Sequence, residues 1–312
     1  MQPKSEYHKP ILALSAAFLV SIAQGQSPDA NYHLAKQIRF DSSAGGVDYL
    51  AVDAVNRRLY GAGLKILDID GDSVVGALPL HSGQGYALAP VIGKGVARLG
   101  TIFDLKSLTT IGHVDVRGDG ALYEPVTRRA FLFNDTTYVV DIGTARVDTF
   151  FRVIGTPEGA AADSAGRVYV NLAAPREVLV IDARSSQEIA RWKLQCLQPL
   201  GLAIDRQHRR LFVSCLQDLL VLDAQTGQLV ARIPMDGAAD ELAFDSAKEL
   251  LFVPHTTGKL ALIHEDTPDH YSLVADIGTG KTKRVVAVDP VSHRAFLWNR
   301  DGTDLVLSIY EP

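Results

Sequence analysis

Seven positions at a constant offset, five residues ahead of a recurring anchor, read Asp48, Gln84, Asp119, Glu158, Leu200, Asp240 and Arg284. Carboxylates gathered around one axis repel one another, and the repulsion is relieved by Arg284, by a bound cation or by a carboxyl whose pKa rises. A second set, Asn134, Asn171, Ser214, His255 and Asn299, stands at the ends of the apolar runs that follow the anchors. Oxygen-rich sets of carboxylates and amides suit hard ions such as Ca²⁺ or Mg²⁺, and a single histidine is a poor basis for zinc. Asp48, Glu158 and Asp240 are the candidate ligands of such an ion. With Gln84, Asp119, Asn134, Asn171, His255, Arg284 and Asn299 they form the candidate ligand contacts at a channel mouth. The competing reading is a water-bridged polar lining.

These residues meet only if the chain winds around an axis, and its internal repeat supplies that winding. A short apolar run, an acidic residue, a turn, a basic residue or pair and a second apolar run recur seven times, as in YLAVDAVNRRLYGAG from Tyr49 and LAIDRQHRRLFVSC from Leu202. The anchors are Asp53, Ala89, Glu124, Asp163, Asp205, Asp245 and Asp289, spaced 35 to 44 residues apart. That period suits four short strands per unit and exceeds leucine-rich or ankyrin repeats. A third run ending in Asp (KILDID, YVVDI, LLVLD) and a more polar fourth (SVVGALPL, EIARWKL, QLVARIPM) complete the unit.

The seventh unit ends at Pro312 before any fourth run, while HLAKQIRF at 33–40 precedes the first unit and reads as an outer strand. Joining the two removes two exposed edges at once. The expectation is an all-β, seven-bladed β-propeller closed by an N-terminal strand that completes the last blade, over one domain of residues 26–312.

Before that domain, Lys4 and Lys9 precede an apolar stretch at 11–23, which ends in Ala23-Gln24-Gly25. This is the pattern of a secretory signal peptide, here residues 1–25, and it implies a periplasmic or secreted protein. The stretch is shorter than the roughly 20 residues of a spanning helix, so no membrane span is expected. A net charge of −5 with scattered basic residues gives no footprint for nucleic acid. Cys196 and Cys215 are the only cysteines, and an oxidising compartment favours a disulfide between them.

Several lookalikes fail on context. Gly280-Lys281-Thr282 ends a near-match to a phosphate loop, but Ala275 holds the first glycine position and no helix follows. His264-Glu265 and His270 have the wrong spacing for a metalloprotease motif, with Pro268 between them, and read as a turn. The pairs Arg57-Arg58, Arg128-Arg129 and Arg209-Arg210 recur at one turn and read as structural partners of the anchor carboxylates; Trp192 and Trp298 read as packing residues. No catalytic signature appears, and no catalytic residue is assigned.

DYLAVDAVNRRLY, FDLKSL, RVYVNL, RRLFVSC and ALIHEDTPD, in this order and spacing, resemble the YncE-like family of exported bacterial propellers with YVTN-type repeats. The resemblance implies a periplasmic or secreted seven-bladed propeller, with the two cysteines where many relatives carry a matching pair, and implies no particular reaction. Val47 stands where relatives commonly carry Trp, and Pro254 and His255 where they commonly carry Asn-Gly. The expected function is a monomeric, non-enzymatic binding or scaffold protein of the cell envelope, holding a protein, peptide or small polar ligand at the channel mouth or loop face. The rival is a metal-assisted, lactonase-like hydrolase or lyase, with Asp48, Glu158 or Asp240 as ligand or base and His255 as acid or base.

Overall fold

The computed structural model describes residues 31–40, 49–62, 65–78, 85–280, 282–301 and 304–312. The proposed signal peptide, Asp48 and Gln84 lie outside them. The described chain forms seven four-stranded antiparallel sheets, each read outward from the axis. Blade 1 runs from Ala51–Asp53 to Ser73–Ala77, blade 2 from Tyr86–Ala89 to Thr110–His113, and blade 3 from Gly120–Glu124 to Arg146–Arg152. Blade 4 runs from Pro157–Ala162 to Gln187–Lys193, blade 5 from Leu202–Asp205 to Leu229–Pro234, and blade 6 from Ala243–Asp245 to His270–Gly278.

Blade 7 is assembled from both ends of the described chain. Thr282–Val288, Ala295–Asp301 and Asp304–Glu311 supply three strands, and His33–Phe40 supplies the outermost. Phe40 pairs with Leu305, Ile38 with Leu307 and Leu34 with Tyr310, as the unpaired run at 33–40 predicts. The edge of Asp304–Glu311 is thereby covered.

Middle strands such as Arg210–Ser214 are apolar on both faces because each blade packs between two others, and their side chains are almost wholly buried. Outer strands such as Arg146–Arg152 and Gln187–Lys193 face water along most of their length. The core divides into seven clusters, one at each blade junction. At the closing junction between blades 7 and 1, Phe40 packs edge-on to the fully buried Trp298, with ring centroids 5.4 Å apart. Cys196 and Cys215 form a disulfide within the blade 4–5 junction, with Cα atoms 6.1 Å apart. No helix among the described residues is long and apolar enough to cross a membrane.

The anchor carboxylates organise the turns between first and second strands. Asp53 accepts the amides of Val55 and Asn56, Asp205 those of Gln207 and His208, and Asp289 those of Val291 and Ser292. Each is an Asx-type turn in which a buried side chain replaces a backbone acceptor. The turn then passes through the left-handed region at Arg57, Arg128, Arg209, Glu249 and His293, with φ between 50° and 61°. Blade 2, whose anchor is Ala89, makes the corner with the 3₁₀ turn Pro90–Ile92 and Gly93 at φ 67° instead.

In five of the blades a basic residue at the start of the second strand staples neighbouring blades. Arg58 donates to carbonyls of Leu105 and Lys106, Lys94 to Gly143, Arg129 to Arg184, Arg210 to Pro268, and Arg294 to Ile69. The second arginine of each pair thus serves a carbonyl of the next blade, whereas Arg57 reaches back to the anchor Asp289 of blade 7.

Candidate functional site

The first strands of the blades surround an axial channel of about 490 Å³. Val52, Ala121, Leu122, Ala160, Leu242 and Val286, on or beside the innermost strands, form its apolar wall. Tyr49, Gly120, Glu158, Asp240 and Glu241 line it where the first strands begin; Ala54, Arg206 and Pro290 lie where they end.

The first of these mouths is tied together across blades. Glu241, ahead of blade 6, accepts the Leu50 amide of blade 1 at 3.1 and 3.3 Å, spanning the position of blade 7. Arg284 lies within the first strand of blade 7, at its register irregularity, with φ 61°; its carbonyl accepts the amides of Asp240 and Glu241, both at 3.0 Å. Its guanidinium lies 2.9 Å from the Asp240 carboxylate. Asp119 is mostly exposed and 3.6 Å from Arg98. Gly159 donates its amide to the Leu200 carbonyl at 3.0 Å, and a Cβ there would lie 2.6 Å from that oxygen, so blades 4 and 5 approach closely beside Glu158 because this residue has no side chain.

Glu158 is the half-buried carboxyl of the group. Burial, followed by the charges of Asp119 and Asp240, raises its pKa, while Arg284 opposes the rise. The mouth therefore gathers Asp119, Glu158, Asp240 and Arg284 within electrostatic reach of one another. It can hold a cationic or hydrogen-bonding group, or exchange a proton through Glu158.

The second set of sequence candidates lies elsewhere, and none of it lines the channel. Asn171 is buried and donates to the carbonyls of Leu200 and Gly201 at 2.9 and 3.0 Å, stitching blade 4 to blade 5. Ser214 accepts the Ala239 amide at 2.7 Å and so stitches blade 5 to blade 6. Asn299 donates to Thr279 O and Ser308 Oγ, while exposed Asn134 caps the following amide. His255 is buried with neither ring nitrogen hydrogen-bonded, and burial lowers its pKa, so it is held neutral.

A further constellation, missed from sequence, joins blades 5 and 6 where first strands end. His208 Nδ1 lies 2.8 Å from Asp205 Oδ2 and 3.2 Å from Glu265 Oε1. Both carboxylates are buried, and His208 is partly exposed.

No family model matches the chain, and no curated protein sequence matches it. Solved structures do. The β-propeller domain of Cps50 (Swd1) from Myceliophteria thermophila superposes with a TM-score of 0.73 at 15% identity, covering 90% of this chain and 99% of that one. Hydrazine synthase of Kuenenia stuttgartiensis superposes with a TM-score of 0.71 at 12% identity, covering 84% of this chain and 95% of that one. The chain is a seven-bladed β-propeller. At such identities the likeness extends to the fold and no further.

Proposed function

We propose that this propeller is an exported, YncE-like binding or scaffold protein of the bacterial cell envelope, without catalytic activity, that takes a cationic group of a peptide, protein or small polar ligand at its channel mouth. The observation that carries the reading is the half-buried Glu158 within reach of the charges of Asp119 and Asp240, three carboxylates set against the two guanidinium groups of Arg284 and Arg98. A ligand ammonium or guanidinium there would relieve that repulsion and gain charge-assisted hydrogen bonds. The repeat phrases, the leader-like first 25 residues and the Cys196–Cys215 bridge support the placement in the envelope.

The test is binding of lysine- and arginine-bearing peptides against acidic peptides of equal length, measured by fluorescence anisotropy. Basic peptides should bind in preference, more weakly as salt rises, and E158Q should abolish the preference. Equal binding of both sets, or binding indifferent to E158Q, would overturn the reading.

The raised Glu158 carboxyl also suits a general acid or base, which supports the second reading of a metal-assisted, lactonase-like hydrolase or lyase. In that case lactone hydrolysis should require added divalent ion and should fall with E158Q.

A further inference from the structure

At two junctions an anchor carboxylate receives a basic partner from the left-handed turn of the next blade. Asp245 of blade 6 meets His293 Nδ1 of blade 7 at 2.6 Å, and Asp289 of blade 7 meets Arg57 of blade 1 at 2.8 Å. For Asp205 of blade 5, the corresponding residue of blade 6 is Glu249, a carboxylate. The charge that would neutralise the anchor is thus replaced by one of the same sign.

Blade 6 adds a further carboxylate at the same place. Its third strand, Lys259–Thr267, and fourth strand, His270–Gly278, form a long hairpin that leans on blade 5 through Arg210, which bonds Pro268 O and Asp269. The hairpin carries Glu265 inward until it is 2% exposed, and neither of its carboxylate oxygens accepts a hydrogen bond. Its near polar neighbour, His208 Nδ1 at 3.2 Å, lies closer to Asp205, so one imidazole faces two buried carboxylates. Arg210 is engaged by Pro268, Asp269 and Asp223. A buried carboxylate left in this way costs free energy unless a proton or a cation joins it.

We propose that Asp205, His208 and Glu265 hold one divalent transition-metal ion of the zinc class, which fastens blade 5 to blade 6. One ligand atom from each residue lies within 4.8 Å of the others. Zinc bonds of about 2.0–2.2 Å from a common centre suit that spacing with only small side-chain movement. A mixed set of one imidazole and two carboxylates favours such an ion over Ca²⁺, which takes about 6–8 oxygen ligands. The ion would take the place that His293 and Arg57 occupy at the other two junctions. Partly exposed His208 provides the route of entry.

Zinc is titrated into the purified protein, without a histidine tag, in competition with a chromophoric chelator, and thermal unfolding is followed with and without the ion. One equivalent should bind and raise the melting temperature. H208A and E265Q should each weaken binding about 100-fold, since even partners behind a ligand contribute about 10–100-fold. H113A, which removes an exposed histidine on the outer strand of blade 2, should bind like the parent. E265Q preserves shape and H208A changes a partly exposed side chain, so if one fails to fold the other still reports. No zinc binding, binding unchanged in the variant that folds, or a preference for Ca²⁺ would overturn the proposal. Zinc binding that survives both substitutions but falls with E158Q would place the ion at the channel mouth and overturn it equally.

Discussion

Arg57 Nη1 lies 2.8 Å from Asp289 Oδ1, joining the first blade to the seventh through residues 232 positions apart. The same guanidinium bonds Asp70 with Nε and Nη2, so one side chain holds a turn of its own blade and the buried anchor of its neighbour. Ring closure therefore combines backbone pairing and aromatic packing within blade 7 with a partly buried ion pair to blade 1.

Removing Arg57 leaves the Asp289 carboxylate buried with only its turn donors. R57A should destabilise the fold by about 1–3 kcal/mol, the range for a buried acceptor that loses its partner. Burial alone would raise the Asp289 pKa, but the Ser292 hydroxyl and amide, with Arg57, hold it below its ordinary value of 3.8. A depressed folded pKa gives stability that is present above the unfolded value and is lost as pH falls through the folded one. R57A should therefore move acid unfolding to higher pH, read by circular dichroism along an acid titration.

The outer strand His33–Phe40 should be indispensable, because without it Asp304–Glu311 becomes an open edge. Deleting residues 31–40 should yield associating protein in light scattering. W298A, which empties the packing site beside Phe40, should cost about 3–5 kcal/mol in denaturant unfolding. Its effect should be less than additive with F40A, since the two rings touch.

The Cys196–Cys215 bridge encloses a loop with a sequence separation of 19 at the blade 4–5 junction. Chain entropy assigns it about 3 kcal/mol. Denaturant melts with and without reductant should differ by that order, and the C196A/C215A double variant should match the reduced protein. Equal midpoints would mean that the junction cluster around Leu211 and Val213 carries the interface unaided.

The ring was legible in the sequence because its signals are local and repeated. An anchor carboxylate captures amides two and three residues ahead, so the Asp-turn-basic phrase marks the same corner wherever it occurs. The missing fourth run after Tyr310 and the spare one at 33–40 likewise followed from counting. Side-chain destinations were less legible. Asn171 and Asn299 sit at equivalent strand ends, yet their amides turn to carbonyls of neighbouring segments, which depends on blade spacing. Glu265 read as a turn residue because its neighbours in sequence are turn-like. It meets Asp205 only through the leaning hairpin of blade 6. One signal was nevertheless present: Glu249 stands where Arg57, Arg128, Arg209 and His293 carry basic side chains.

Glu158 offers the sharpest contrast between stability and function. A carboxyl whose pKa rises on folding binds its proton more readily in the folded state, so its charged form works against the fold near neutral pH, and stability increases as pH falls through the folded value. E158Q removes the charge while keeping the shape. It should melt a few degrees above the parent near neutral pH, with the difference shrinking as the parent glutamate is protonated at lower pH. Scanning fluorimetry across that range reads both effects. A variant that gains stability while losing its preference for basic peptides would identify Glu158 as a group kept at a cost to the fold for what it binds. A variant less stable than the parent at neutral pH would instead make Glu158 a structural member of the mouth, already satisfied by its own chain.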